Sequence, residues 1–401
     1  ERLKKCGMLG VYETRGIPLI ISALMIVMSF AAVDASARTW RVELDGSGDF
    51  TDIQPAVDAS ATGDTILIGP GRFDTFHPCV APAWTEPAIV WVTKDNLTFL
   101  GSGQGSTILG PTTYFGPPGR NPKGFCSFGG FSGEIKDLTI ENIENGVFWE
   151  TGSFVFDSCT VKGENNPAFI GMGLWTQGAT ILNCTIDTHF AGAACAIGAG
   201  GRDITFENCS FPGYGEGVFV TDGSQNTRFI GCQFVHSTLG VIFDQLAQGS
   251  MFDCSFEAIQ ANALTIRNGA RVELNLVRVN GAATGIALFS GGIVTGAEVV
   301  LEDTRDEALL VCCNASVTLN SSHLLPAQGI AVRCSSTWAN PTFLDLSGNY
   351  WGTADAGSIR NAIWDAVDLP SINCTVQFEP FANGPVPTES TSWGELKALW
   401  R

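Results

Sequence analysis

Five cysteines recur at nearly equal steps, and that spacing constrains the fold more than anything else in the chain. Cys159, Cys184, Cys209, Cys232 and Cys254 stand 25, 25, 23 and 22 residues apart. Each sits in a similar phrase, such as Asp157-Ser-Cys-Thr-Val, Leu182-Asn-Cys-Thr-Ile and Phe252-Asp-Cys-Ser-Phe. The register extends to Leu138 on one side and to Val277, Thr304, Ser322 and Asn349 on the other, giving ten rows. Three positions before the Cys column stand Ile135, Phe156, Ile181, Phe206, Phe229, Met251, Leu274, Leu301, Leu319 and Leu346, all apolar. Two positions after it, only Asp306 breaks an apolar column that includes Ile140, Val161, Phe234 and Trp351. One before it, Asp, Ser, Asn and Gly predominate.

Positions 0 and +2 share one face of a strand, whereas position −3 has the wrong parity to join it. The chain must therefore bend between them, and Asn, Asp and Gly tolerate the left-handed backbone that such a bend needs. A third apolar segment recurs in the same rhythm, as in Gly217-Val-Phe-Val, Gly240-Val-Ile-Phe, Ala263-Leu-Thr-Ile and Gly285-Ile-Ala-Leu. Three short strands per row of about 23 residues describe an all-β, single-stranded right-handed parallel β-helix of about ten coils. The 47 glycines fit a chain full of corners, and low Lys with many short Phe/Ile/Val runs argues against a helical protein.

The two ends carry a resemblance. Arg41-Val-Glu-Leu-Asp-Gly-Ser-Gly-Asp-Phe-Thr-Asp-Ile-Gln-Pro-Ala-Val-Asp-Ala-Ser, then Gly63-Asp-Thr-Ile-Leu-Ile-Gly-Pro-Gly-Arg-Phe, resembles the opening of pectate-lyase-like β-helix proteins. Pectin methylesterases open similarly. The resemblance implies a first strand, an N-terminal capping helix begun at Thr51 or Asp52, and then the first coil. Ser347-Gly-Asn-Tyr-Trp-Gly-Thr, with Ile359, Ile363, Asp365, Asp368, Val376, Phe378 and Pro380 beyond it, is similar to the closing segment of secreted bacterial β-helix repeat proteins. The active-site motifs of pectin methylesterases and polygalacturonases are not recognisable, and no carboxylate cluster with a matched basic motif suggests a calcium-dependent lyase.

Outside the repeat, the termini have their own character. Arg2, Lys4, Lys5 and Arg15, an apolar run from Ile17 to Val33, and Ala35-Ser36-Ala37 have the form of a signal peptide over 1–37. The expected location is secreted, periplasmic or cell-surface, with no transmembrane segment in the mature chain. The β-helix is expected over 38–382, with 72–126 as an insertion and 352–382 as a C-terminal cap. Residues 383–401 read as a linker and a short tail.

A ligand site is sought on the outside of the third strand. There Val218, Val220, Val241, Phe243, Leu264 and Ile266 point inward. The outward set includes Phe148, Glu150, Trp175, Gln177, Phe219, Thr221, Asp244, Arg267, Phe289, Cys312 and Arg333. Aromatic faces beside acids and an Arg suit stacking and hydrogen bonding of a sugar chain. The expected substrate-binding residues are Trp175, Phe148, Phe219, Thr221 and Arg267. If the protein is catalytic, Asp244 with Glu150 or Asp222 supplies acid and base, and the reaction class is polysaccharide lyase or glycoside hydrolase.

The net charge of −18 opposes nucleic-acid binding. The expected partner is a polysaccharide or cell-surface glycan, and the chain is expected to be a monomer. The alternative is a non-catalytic cell-envelope or surface scaffold of adhesin type. His77, His189, His236 and His323 show no metal-ligand spacing, so no metal and no cofactor are expected; calcium enters only if the protein is a lyase. The five ladder cysteines are expected to be buried free thiols, because in-register neighbours on parallel strands are too far apart to bond. Cys79 with Cys126, and Cys334 with Cys374, are the expected disulfides. Vicinal Cys312-Cys313 is expected to be structural.

Overall fold

A computed structural model describes residues 37–81, 84–114, 121–163, 170–187, 193–213, 215–335 and 342–385. The expected signal segment, apart from its last residue, and the tail beyond 385 lie outside the described residues.

The chain winds as a parallel β-solenoid of about twelve turns, two more than the sequence rows suggest. Its strands form three sheets of 14, 11 and 13 strands among the described residues. The first sheet carries the column three before the cysteines: Phe156 pairs with Ile181, Ile181 with Phe206, and Phe206 with Phe229. The second sheet carries the column two after them, with Phe211 on Phe234 and Phe234 on Phe256. The third sheet holds the third strand of each row, with Val218 on Val241 and Val241 on Leu264.

All ten residues at the corner between the first two sheets have positive φ, from Ser321 at 49° to Gly348 at 75°. That single left-handed residue lets two strands meet without a loop. One row differs from the sequence expectation. Leu274 pairs with Gly296 and Gly296 with Leu319, while Leu301 pairs with Val279 and Leu324. The row is therefore Gly296, Val299 and Leu301, not Leu301, Thr304 and Asp306. The corner residue is Glu298, and Asp303 stands at the following corner of the same row, between the second and third sheets; both have positive φ. Gly296 is accepted because a Cβ there would press on the backbone of Leu274, at 3.0 Å from its Cβ. A small residue hid the register that a leucine imitated.

Inside, like residues stack upon like. The Phe211, Phe234 and Phe256 rings stack at 4.7 Å steps, and Phe206 lies 5.0 Å from Phe229. The five ladder cysteines are buried free thiols. Each thiol donates to the carbonyl of the apolar residue that precedes the corner one row earlier: Cys184 to Phe156 at 3.4 Å, Cys209 to Ile181 at 3.4 Å, Cys232 to Phe206 at 3.5 Å. Asn349 does the same for Leu319 at 2.7 Å. The Cys column thus satisfies backbone acceptors that the corner strands leave over, as well as filling space. Burial pushes the thiols of Cys184 and Cys232 up, so they stay protonated.

The N-terminal end is covered by a helix, α1 (Ile53–Ala59), whose first N–H bonds to the Asp52 side chain. Ile53, Ala56 and Val57 enter the same core as the coils, which shields the end of the solenoid. Residues 72–126 do not interrupt the coils as expected. Leu97–Leu100 lies in the first sheet, Thr107–Leu109 in the second, and Trp84–Val92 and Lys123–Ser127 in the third. The addition is one antiparallel strand, His77–Ala81, paired to Trp84–Val92 as a hairpin. Its cysteine does not form the expected staple. Cys79 and Cys126 are both buried free thiols, set among Ala81, Ala88 and Phe128. Apolar packing, rather than a covalent bond, holds the hairpin down. Cys334 and Cys374 are bonded as expected, and Cys312 is bonded to Cys313. No helix among the described residues is long and apolar enough to cross a membrane.

Candidate functional site

The outer face of the third sheet assembles most of the residues singled out from the sequence. Strict pairing puts Phe148, Gly173, Ala196, Phe219, Ile242, Thr265, Ala287, Leu310 and Arg333 in one column. Glu150 pairs with Trp175, and the same ladder continues through Thr221, Asp244, Arg267, Phe289 and Cys312. Gln177 is the exception: it has passed the turn and bridges to Arg202 on the way to the first sheet.

Trp175 is laid flat by its neighbours. Gly173 and Gly198 flank it, and a Cβ on Gly173 would come within 2.6 Å of the indole, while one on Gly198 would collide with its nitrogen edge. The indole lies across two bare backbones, which only glycine permits. Trp175 remains half-buried. Phe148 stands 5.0 Å away at 33°, and Phe128 follows at 5.3 Å. These rings form an aromatic shelf along the first rows of the face.

The N-terminal limit of the face is the 77–92 hairpin. It folds onto this surface and covers Cys126 and Lys123, both outward by register. Lys123 is 2% exposed, bonds Glu86 at 2.6 Å and the Asn121 carbonyl at 3.0 Å, and lies 4.8 Å over the Phe148 ring. A lysine so deep needs such partners, because a buried amine without hydrogen-bond acceptors is costly. Nearby, burial pushes the carboxyl of Glu144 up; Lys123 acts in the opposite sense without cancelling it. Lys123, Glu86 and Glu144 were not sequence candidates. Their partnership runs through the hairpin, and no spacing along the chain marks it.

Farther along, polar groups replace the rings. Asp244 is 8% exposed and accepts from Arg267 Nε at 2.9 Å, Asn268 Nδ2 at 2.6 Å and the Gln245 N–H at 2.7 Å. Burial raises its pKa, but Arg267 and Asn268 outweigh that and hold the carboxyl below the ordinary carboxylate range. Arg333 pairs with buried Glu307 at 3.3 Å, and Thr284 donates to the same carboxylate at 3.1 Å.

Among the three expected acid/base carboxylates, Glu150 and Asp244 are four rows apart, roughly 19 Å at about 4.8 Å per row. Paired glycosidase carboxylates lie about 5–9.5 Å apart, so those two do not act on one bond. Asp222 sits in the exposed turn after Thr221, one row from Asp244. Asp244, with its oxygens occupied, suits a fixed ion pair better than a proton carrier. Arg267, expected to hold an anionic group of the ligand, is committed to Asp244. No group of three His, Cys, Asp or Glu side chains among the described residues is placed to hold a metal ion.

A depression also lies at the outer corner of the first two sheets, lined by Asn208, Gln233, Asp253, Arg278 and Glu298. It has no aromatic lining. We place the site on the third sheet because, among the described residues, stacking surface and hydrogen-bonding groups converge there.

Comparison with known proteins agrees with this architecture. Residues 170–337 match the family model described as a right handed beta helix region. Pectinesterase 5 of Arabidopsis thaliana is 24% identical over 299 residues, covering 72% of this chain. The chain spans 40% of that relative's length. The catalytic unit of a thermostable GH87 α-1,3-glucanase from Streptomyces thermodiastaticus strain HF3-3 is similar in structure at a TM-score of 0.46, with 13% identity over 83% of this chain and 65% of that one. A GH87 α-1,3-glucanase catalytic domain solved with tetrasaccharides gives 0.47, with 11% identity over 69% and 65%. The chain folds as a parallel β-solenoid, and over residues 170–337 it is similar to the right handed beta helix region.

Proposed function

We propose that the outer face of the third sheet is a polysaccharide-binding groove, and that the protein is an exported polysaccharide-binding or polysaccharide-processing β-helix protein. The carrying observation is the Trp175 platform, held flat by Gly173 and Gly198 and continued by Phe148. A ring pressed onto backbone on one side and still partly exposed is suited to stacking on a sugar ring. Thr221 and Asn262 continue the face with a hydroxyl and an amide that can bond sugar hydroxyls. The hairpin closes one end, so a polymer lies along the rows and ends at the shelf. A pectinesterase relative is consistent with polysaccharide chemistry in the wider group. Binding is supported more directly than catalysis, because Asp244 is saturated and no second carboxylate among the described residues of the face stands at a catalytic spacing from Glu150.

The test is affinity electrophoresis of the purified protein on a broad glycan panel, with a product assay on every glycan retained. Trp175→Ala is expected to weaken retention at least about tenfold, or about 1.4 kcal/mol, while folding is unchanged. No retention by any glycan would sink the reading. Export is tested separately by fractionating cells that express the chain from residue 1. Recovery only in the cytosol, with residues 1–37 retained, would remove that part.

A further inference from the structure

The charges on the groove specify what kind of polysaccharide it takes. Three cations lie on the outer columns of the third sheet, and each is committed to a carboxylate. Lys123 is on Glu86 at 2.6 Å, Arg267 on Asp244 at 2.8 Å, and Arg333 on Glu307 at 3.3 Å. Arg202 lies beyond the turn, in the ladder that leads to the first sheet. Two carboxylates of the same sheet, Glu150 and Glu216, are exposed and have no cationic partner among the described residues. Asp222, also exposed, adds a third at the rim. The whole chain is acidic as well, at −18.

A polyuronate laid on this face would bring one carboxylate per sugar against uncompensated acids, with no free cation among the described residues of the face to receive it. Like charges this close repel, and an existing ion pair would have to open to bind an anion. An uncharged chain needs only what the face offers: stacking on Trp175 and Phe148, apolar contact with Phe219, and hydroxyl or amide bonds from Thr221 and Asn262. Resting on the groove proposed above, we infer that its ligand is an uncharged polysaccharide and that polyuronates are excluded by charge. Glu150 and Glu216 are then specificity-determining residues, acting by repulsion.

The experiment measures binding of the full chain to soluble uncharged glucans, mannans and xylans and to polygalacturonate, with and without calcium. Wild type, Trp175→Ala and the double variant Glu150→Gln/Glu216→Gln are compared. At least one uncharged glycan is expected to bind, changing less than about twofold between about 0.05 and 0.5 M salt, and to be lost in Trp175→Ala. Polygalacturonate is expected to be rejected at low salt by wild type, and the double variant to gain measurable affinity for it. Polygalacturonate binding by wild type that is lost in Trp175→Ala, with calcium or without, would overturn the inference and leave the groove intact. Absence of binding to every glycan, or binding indifferent to Trp175→Ala, would overturn the groove itself.

Discussion

The inside and the outside of the same strands follow different rules. Phe243 and Asp244 are neighbours in sequence, yet Phe243 enters a column of repeated apolar residues while Asp244 enters one that reads Trp175, Gly198, Thr221, Asp244, Arg267. Inside, each row must supply an apolar or small side chain, because stacked side chains 4.7 to 5.0 Å apart leave no room for a polar group or a void. Outside, no such demand exists, and each row is free to differ. Repetition therefore reports on stability, and departure from repetition reports on function.

The largest expected effect tests the inside. Phe234→Ala removes the middle ring of a three-ring stack and should cost about 3–5 kcal/mol in chemical denaturation. Glycan binding by the remaining folded protein should be unchanged. A loss below about 1 kcal/mol would mean that the stack relaxes around the cavity and the inside is less demanding than its regularity implies.

A smaller effect, on the outside, comes from Gly198→Val. The new side chain meets the Trp175 indole and must tilt it from the sheet. Binding should fall about tenfold or more, matching Trp175→Ala, while thermal stability shifts little. Full binding by this variant would show that the flat indole is not the platform.

The smallest effect concerns Asp244. Its carboxyl is held below the ordinary 3.8, so the charged pair contributes stability above the unfolded value and loses it as pH falls through the folded one. Asp244→Asn should cost no more than about 1 kcal/mol near neutral pH, since the Arg267 side chain is 43% exposed and well screened. The difference from wild type should vanish in acid below the ordinary carboxylate range. A variant deficit that persists there would show that Asp244 contributes by hydrogen bonds alone.

Much of the fold is legible in the chain. The cysteine phrases mark the corner, the strand parity and the inward columns, and the resemblance of the opening segment implies a capping helix begun at Thr51 or Asp52, of which Asp52 is the cap. The row at Gly296 is not legible, because Leu301 offers the apolar signal that a glycine cannot. The 72–126 stretch reads as an insertion, since its strands lack the cysteine phrase even though they occupy all three sheets. For the site, alternation alone puts Phe148, Trp175, Thr221, Asp244 and Arg267 on one face. It cannot say that Arg267 is spent on Asp244, nor that Lys123 lies beneath the hairpin bonded to Glu86.

By itself the sequence determined a coiled β architecture, because a period of about 23 residues with two parity classes admits few other arrangements. It also determined which side of each strand faces outward. The tertiary structure decided how much of that outward side is exposed and what it can do. Ion pairing across rows, the hairpin folded onto the first rows, and the indole resting on the Gly198 backbone join residues that are 23 to 37 positions apart. Such contacts depend on how rows stack, and a linear pattern carries that information only for side chains that repeat.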